Sequence, residues 1–231
     1  MISIVLPTRK RPTALTEMVE SALSTADDTT QVEFCIYVDE DDTETKECVG
    51  VMSYKGISIK HTTSPTSLNL SQMWNYAYEH IAKGDIIMLC ADDIRFRSKS
   101  WDTRVRQTID KYEDKIVLVY GDDLIHGANL STHPFVHRKW IEKSGFWLPP
   151  YFVSDFVDLW LNDVSKDLGR RVFLSDVITE HLHHTVGKAS IDETTTARLE
   201  RHTQSNPQSI FARTLGERNA HLMRLLAVIN K

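Results

Sequence analysis

Glycine is scarce in this chain, nine in 231 residues, and none lies between residues 7 and 12, just after the first apolar run. Neither Gly-x-Gly-x-x-Gly nor a Walker lysine motif occurs there, so a dinucleotide fingerprint and a P-loop are both excluded. Cysteine is sparser still. Cys35, Cys48 and Cys90 are widely spaced, and an odd, low count offers neither a disulfide framework nor a metal cluster. Cys35 and Cys90 sit inside apolar runs, where a buried thiol is simply a small hydrophobe. The set fits a reducing, cytoplasmic setting. No apolar run approaches the length of a membrane span. The opening Met-Ile-Ser-Ile-Val-Leu-Pro lacks the basic start of a signal peptide and reaches Pro7 too soon. Positive charge is not in excess either: the formal net charge is -5. That argues against binding nucleic acid through bulk electrostatics, though a local basic groove would survive it.

What is present is an ordinary globular composition, 41% hydrophobic and 26% charged, long enough for one large domain or a domain with an appendage. Apolar runs at Ile2–Leu6 (stopped by Pro7), Val32–Val38, Ile57–His61 and Ile86–Cys90 read as buried strands. Helical patterns lie between them. Pro12 opens one that puts Leu15, Met18, Val19, Ala22 and Leu23 on one face, and Thr45–Met52 is a second. A third carries Leu70, Met73, Trp74, Ala77, Tyr78 and Ile81 and ends at Gly84. Residues 99–112 and the segment after Asp155 continue the pattern, with strands at Ile116–Tyr120 and Arg171–Leu174. This alternation is the signature of an α/β fold, a Rossmann-like, open, mostly parallel sheet flanked by helices. The tail from 196 onward adds a helix with Leu215, Leu222, Leu225, Leu226 and Ile229 on a face.

The chain is organised around Ile86–Ile94, an apolar strand ending on the adjacent carboxylates Asp92 and Asp93. Open α/β sheets bind ligands just past the C-terminal ends of such strands. Two neighbouring carboxylates stay ionised only with a cation or a hydrogen-bond network. A solvated corner is the competing reading, since Asp favours turns. Thr8 and Arg9 at the exit of the first strand, and Asp39 at the exit of the second, lie near the same crevice. Gly121-Asp122-Asp123 repeats the acid pair in form, and nothing local ranks one pair above the other. His126, Asn129, His133 and His137 match no zinc spacing. Asp155, at the start of a helix after the aromatic loop 145–155, reads either as an N-cap or as a general base, with Asp158 the fallback. In that loop Phe146 reads as bracing and Trp147 as a ligand contact. His181 and His183 share a face if their segment is extended, and can complete an oxygen-rich metal site or serve as structure.

Taken in order, these elements resemble a nucleotide-sugar glycosyltransferase of the GT-A fold, close to the inverting family 2. Ser3-Ile-Val-Leu-Pro-Thr-Arg9 resembles its first strand and donor loop, Val38-Asp39 its uracil-contacting acid, and Ala91-Asp92-Asp93 its metal and ribose motif. The loop from Gly145 to Asp155 resembles the segment that carries the base, and Glu180–His183 the late histidine of the metal shell. The resemblance spans residues 1–192, a donor half of about 1–94 and an acceptor half of about 95–192, with 193–231 as a helical extension. It implies transfer of a sugar, from a UDP-linked donor, to an acceptor hydroxyl with inversion. It also implies Mn2+ or Mg2+ on Asp93 and His181, with His183 a further candidate. Thr8, Arg9, Asp39, Asp92 and Lys188 would face the donor, Lys188 by position only. The chain departs from the pattern at Ile94, where a third acid is absent, and at Ser154-Asp155, where a Glu-Asp pair is usual. The acceptor stays open among a glycan, a lipid-linked sugar, a protein and a modified DNA base, as does the oligomeric state. A sugar nucleotidyltransferase would want a glycine-rich first loop. A non-enzymatic binding protein that kept the fold would bind without transfer.

Overall fold

The computed structural model describes residues 1–229. Strands β1 (Ile2–Thr8), β2 (Val32–Val38), β3 (Ile59–Thr62) and β4 (Ile86–Leu89) alternate with helices α1 (Pro12–Thr25), α2 (Thr43–Tyr54) and α3 (Leu70–Ile81). The four strands pair in parallel in the order β3-β2-β1-β4. Side chains alternate across this sheet as the two-residue period requires. Ile2, Ile4 and Leu6 enter one core with Leu15, Met18 and Val19 of α1. Val5, Cys35, Tyr37, Ile87 and Leu89 enter a second core with Trp74 and Ala77 of α3. Both faces are covered, which is why these strands read as unbroken apolar runs.

Two local expectations change. β1 runs through Pro7 to Thr8 rather than stopping at the proline. The Cys90 N–H donates to the Val5 carbonyl, so odd-numbered residues of β1 face β4, and β4 has already ended where Pro7 would have offered an N–H. The α3 helix ends at Ile81, with Ala82 extended, and Gly84 is not its cap. Gly84 is needed for close packing instead: a Cβ there would lie 2.6 Å from Ser3 Oγ and 2.7 Å from the Met1 carbonyl.

The second half comprises β5 (Ile94–Phe96), α4 (Trp101–Asp110), β6 (Leu118–Asp122), β7 (Phe135–His137), α5 (Arg138–Ser144), α6 (Val157–Asp167) and β8 (Arg171–His181). β7 sits antiparallel between β4 and β6, so the polar stretch after Asp123 hides a central strand. β8 is much longer than the Arg171–Leu174 expected from sequence. Its first part runs parallel to β6, and its end turns to pair antiparallel with β5. The register slips at Gly121, where β8 crosses so closely that a Cβ would lie 2.3 Å from the Val177 carbonyl. That crossing carries His181 to the exit of β4.

The tail forms α7 (Glu193–Ser205), α8 (Pro207–Arg213) and α9 (Leu215–Ile229). α9 packs on α5 and α6. Leu225 and His221 are buried, while Leu222, Leu226 and Ile229 pack at the edge of the second core. Leu215 is half exposed and does not share that face. His221 Nδ1 accepts from Trp160 Nε1 at 3.1 Å, which ties α9 to α6. No helix among the described residues is long and apolar enough to cross a membrane.

Candidate active site

β1, β2 and β4 end side by side, and their exits open on a cavity of about 1270 Å³. Thr8, Arg9, Asp39, Asp92, Asp93, His183 and Lys188 all line it, together with Trp74 and, from α7, Thr195, Arg198 and Arg201. Seven positions drawn from distant parts of the sequence therefore share one wall. His181, Asp155 and Asp158 are not part of that wall, but His181 meets Asp93 and Asp155 meets Arg198, both of which are on it.

The two acids of the central pair have different surroundings. Asp92 is buried; Thr8 Oγ1 donates to its Oδ2 at 2.6 Å and Arg11 Nη1 to its Oδ1 at 3.2 Å. Burial pushes the Asp92 carboxyl up to about 6, and the charge of Asp93 adds to the rise against the pull of Arg11. Asp93 Oδ2 lies 3.3 Å from His181 Nε2. Burial opposes ionisation there too, but the contact with His181, joined by the charges of His133 and Arg11, outweighs it and holds the Asp93 carboxyl down at about 2. One carboxylate up and its neighbour down is the behaviour of two acids sharing a site.

Three buried atoms around Asp93 have no hydrogen-bond partner: Asp93 Oδ1, His181 Nδ1 and His133 Nδ1. The His133 and His181 rings meet edge to face at 4.9 Å, and burial pushes the His133 imidazole down to about 3. His133 carried no recognisable spacing in sequence; it reaches the site on the segment that leads into β7. Unpaired buried polar atoms of this kind invite a ligand. Among the described residues no three such groups are arranged to hold a metal ion unaided. Asp93 with His181 offers two ligands, which fits a cation that completes its shell with water and phosphate oxygens.

The loop after β1 is held by ion pairs. Arg9 bonds Asp39 at 2.7 Å and Asp41 at 2.6 and 2.7 Å. Asp42 caps α2 and accepts from the Lys10 N–H, and of the four consecutive acids Asp39, Glu40, Asp41 and Asp42 it is Asp39 alone that lines the cavity. Arg11 continues to Asp192 and Thr195. Lys188 Nζ lies 2.8 Å from Glu180. Asp123, of the second acid pair, accepts instead from His126 Nδ1 and from backbone N–H groups of its own turn. That turn ranks the pairs: Asp123 is committed to structure.

The aromatic loop is clamped by α3. Asn69 Nδ2 donates to the Pro150 carbonyl, Ser71 Oγ to the Phe152 carbonyl, and Asn75 bonds Leu148 in both directions. The clamp buries Trp147 to 2% exposure against Tyr78, so it braces the core and is no ligand platform. Asp155 is not an N-cap, since Phe156 holds that position and makes no capping bond. Its carboxylate accepts from Arg198 Nη1 at 2.7 Å and meets His202 Nδ1 at 2.5 Å. Asp158 accepts from the Leu159 N–H, and burial, with Asp155 adding, pushes its carboxyl up to about 6.

Comparison with known proteins fits this geometry. Residues 3–164 match the family model described as glycosyl transferase family 2. No curated protein matches the chain by sequence. Among solved structures, Staphylococcus aureus TarS 1-349 in complex with UDP is similar at TM-score 0.61 and 15% identity, over 77% of this chain and 59% of that one. Mannosyltransferase PcManGT from Pyrobaculum calidifontis, with GDP-Man and Mn2+, is similar at TM-score 0.65 and 12% identity, over 99% and 74%. Glucosyl-3-phosphoglycerate synthase from Mycobacterium tuberculosis, with Mg2+ and UDP, is similar at TM-score 0.57 and 14% identity, over 79% and 72%. This chain spans 43% of the longer TarS chain. At these identities the likeness is one of fold.

Proposed function

This chain belongs to glycosyl transferase family 2, and we propose that it transfers a sugar from a UDP-linked donor to an acceptor hydroxyl with inversion. The observation that carries the proposal is the single cavity shared by Thr8, Asp39, Asp92 and Asp93 at the exits of three parallel strands. A nucleotide is the ligand such a crevice suits, with its base near β2 and its phosphates near β4. Of the three complexes compared above, two carry UDP and one carries GDP-Man, so UDP is the first nucleotide to try and GDP the second. The catalytic unit under this proposal is residues 1–192, and the extension from 193 adds Arg198 and Arg201 to the cavity wall.

The residues divide the work as follows. Asp39 accepts from the base, and Asp92, steadied by Thr8 and Arg11, accepts from the ribose. Arg9 and Lys188 face the diphosphate. Asp93 and His181 would hold Mn2+ or Mg2+, with His183 beside them, and the ion when bound neutralises the charge growing on the departing diphosphate. Asp155 removes the proton of the acceptor hydroxyl, with Asp158 the fallback. A single base facing the anomeric carbon from the side opposite the diphosphate gives inversion. The acceptor is left among a glycan, a lipid-linked sugar, a protein and a modified DNA base.

The experiment is release of nucleoside diphosphate from UDP- and GDP-sugars with Mn2+, for the wild type and Asp155→Ala, across those acceptor classes. Acceptor-dependent release by the wild type, absent in Asp155→Ala, is expected. Equal release by both would remove Asp155 from the mechanism, and none by the wild type with any acceptor would overturn the transferase reading.

A further inference from the structure

The carboxylate of Asp155 is engaged by two neighbouring side chains. Both of its oxygens are occupied, one by Arg198 Nη1 at 2.7 Å and the other by His202 Nδ1 at 2.5 Å. Arg198 bonds that carboxylate and also lines the cavity. Its Nη2 lies 3.4 Å from His183 Nε2, and the His183 ring lies 4.9 Å from that of His181, which meets Asp93. The guanidinium therefore borders the acid pair, where a nucleotide's phosphates would lie. We propose that Arg198 is a donor-diphosphate contact that rests on Asp155 and leaves it when the nucleotide enters, so that donor binding frees the base for the acceptor. This rests on the donor reading above.

Three further observations support the exchange. The start of α7 is fastened to the donor loop: Arg11 bonds Asp192 at 2.7 and 2.6 Å and Thr195 at 2.7 Å, and Thr194 Oγ1 donates to the Arg9 carbonyl at 3.1 Å. Arg198 follows Thr195 by about one helical turn, so the loop that meets the donor also sets the position of Arg198. Arg9, Arg11 and Lys188 are engaged by Asp39, Asp41, Asp92, Asp192 and Glu180, none of them the proposed base. Arg198 alone among these cations is paired with Asp155. Finally, the pair is open to water, its side chains 25% and 32% exposed. Solvent weakens such a bond, and a diphosphate offers the planar guanidinium more charge and a two-pronged match.

Competition fixes the sign of the test. Calorimetric titration with UDP and Mn2+ is run on the wild type, Asp155→Asn, Arg198→Gln and the double variant. Asp155→Asn keeps the shape but removes the charge that holds Arg198, so UDP should bind about two- to fivefold tighter. Arg198→Gln should bind about tenfold weaker. The double variant should match Arg198→Gln, since the gain operates through Arg198. If Asp155→Asn binds UDP equally or more weakly, Asp155 has a packing role or presents Arg198, and the exchange is overturned. A gain that persists in the double variant overturns it too. Absence of UDP binding in the wild type would instead strike at the donor reading, and that titration alone tells the two failures apart.

Discussion

His181 Nε2 stands 3.3 Å from Asp93 Oδ2, and this contact exists because β8 bends. The Leu182 N–H also donates to the Asp93 carbonyl at 2.8 Å, so backbone as well as side chain joins the late strand to the acid pair. The bend depends on Gly121, over which β8 crosses.

Gly121→Ala forces a Cβ against the Val177 carbonyl, 2.3 Å away in the unrelaxed structure. The expected cost is about 1–3 kcal/mol of stability, read by urea unfolding. Because β8 must shift, Mn2+-dependent nucleotide binding should also weaken, by about tenfold. A variant of unchanged stability and affinity would show that the crossing does not position His181.

Arg11→Met removes the cation that faces buried Asp92 and clasps Asp192. An uncompensated carboxylate then adjoins Asp93. The expected loss is about 1–3 kcal/mol, below the value for a fully buried pair because Arg11 is one-fifth exposed. Mn2+ should restore more of the melting temperature in this variant than in the wild type. Equal metal effects in both would separate Arg11 from the acid pair electrostatically.

Acid should loosen the fold through its buried histidines. Burial pushes His221 down to about 3 from an ordinary 6.5, and His133 likewise to about 3. Below pH 6.5 the unfolded chain binds protons that the folded chain refuses, so stability falls with pH until about 3. Each group contributes up to about 1.4 kcal/mol per pH unit in that window. His221→Gln keeps an acceptor for Trp160 Nε1 but does not titrate. Urea midpoints from pH 7 to 5 should therefore fall less steeply in His221→Gln. Parallel slopes would contradict the assignment.

How much of this was legible in sequence depends on the range of the interaction. β1, β2 and β4 announce themselves because both faces are buried, and the exits of those strands locate Thr8, Asp39, Asp92 and Asp93 without further help. β7 is three residues long and lies in a polar stretch, so its pairing with β4 and β6 leaves no periodic trace. β8 loses its alternation where it bends at Gly121. Trp147 read as a ligand contact because the clamp from Asn69, Ser71 and Asn75 is non-local. The bonds of Asp155 to Arg198 and His202 come from the exposed-looking, polar helix α7, which no local pattern connects to residue 155.

The measurement that tests the central claim most directly is calorimetric titration of the wild type and Asp93→Ala with UDP, GDP, CDP and dTDP, each with and without Mn2+. The account predicts that one nucleotide, UDP first, binds the wild type only with Mn2+, and that Asp93→Ala abolishes this binding. Binding that ignores both the metal and Asp93, or no binding of any nucleotide, would contradict it.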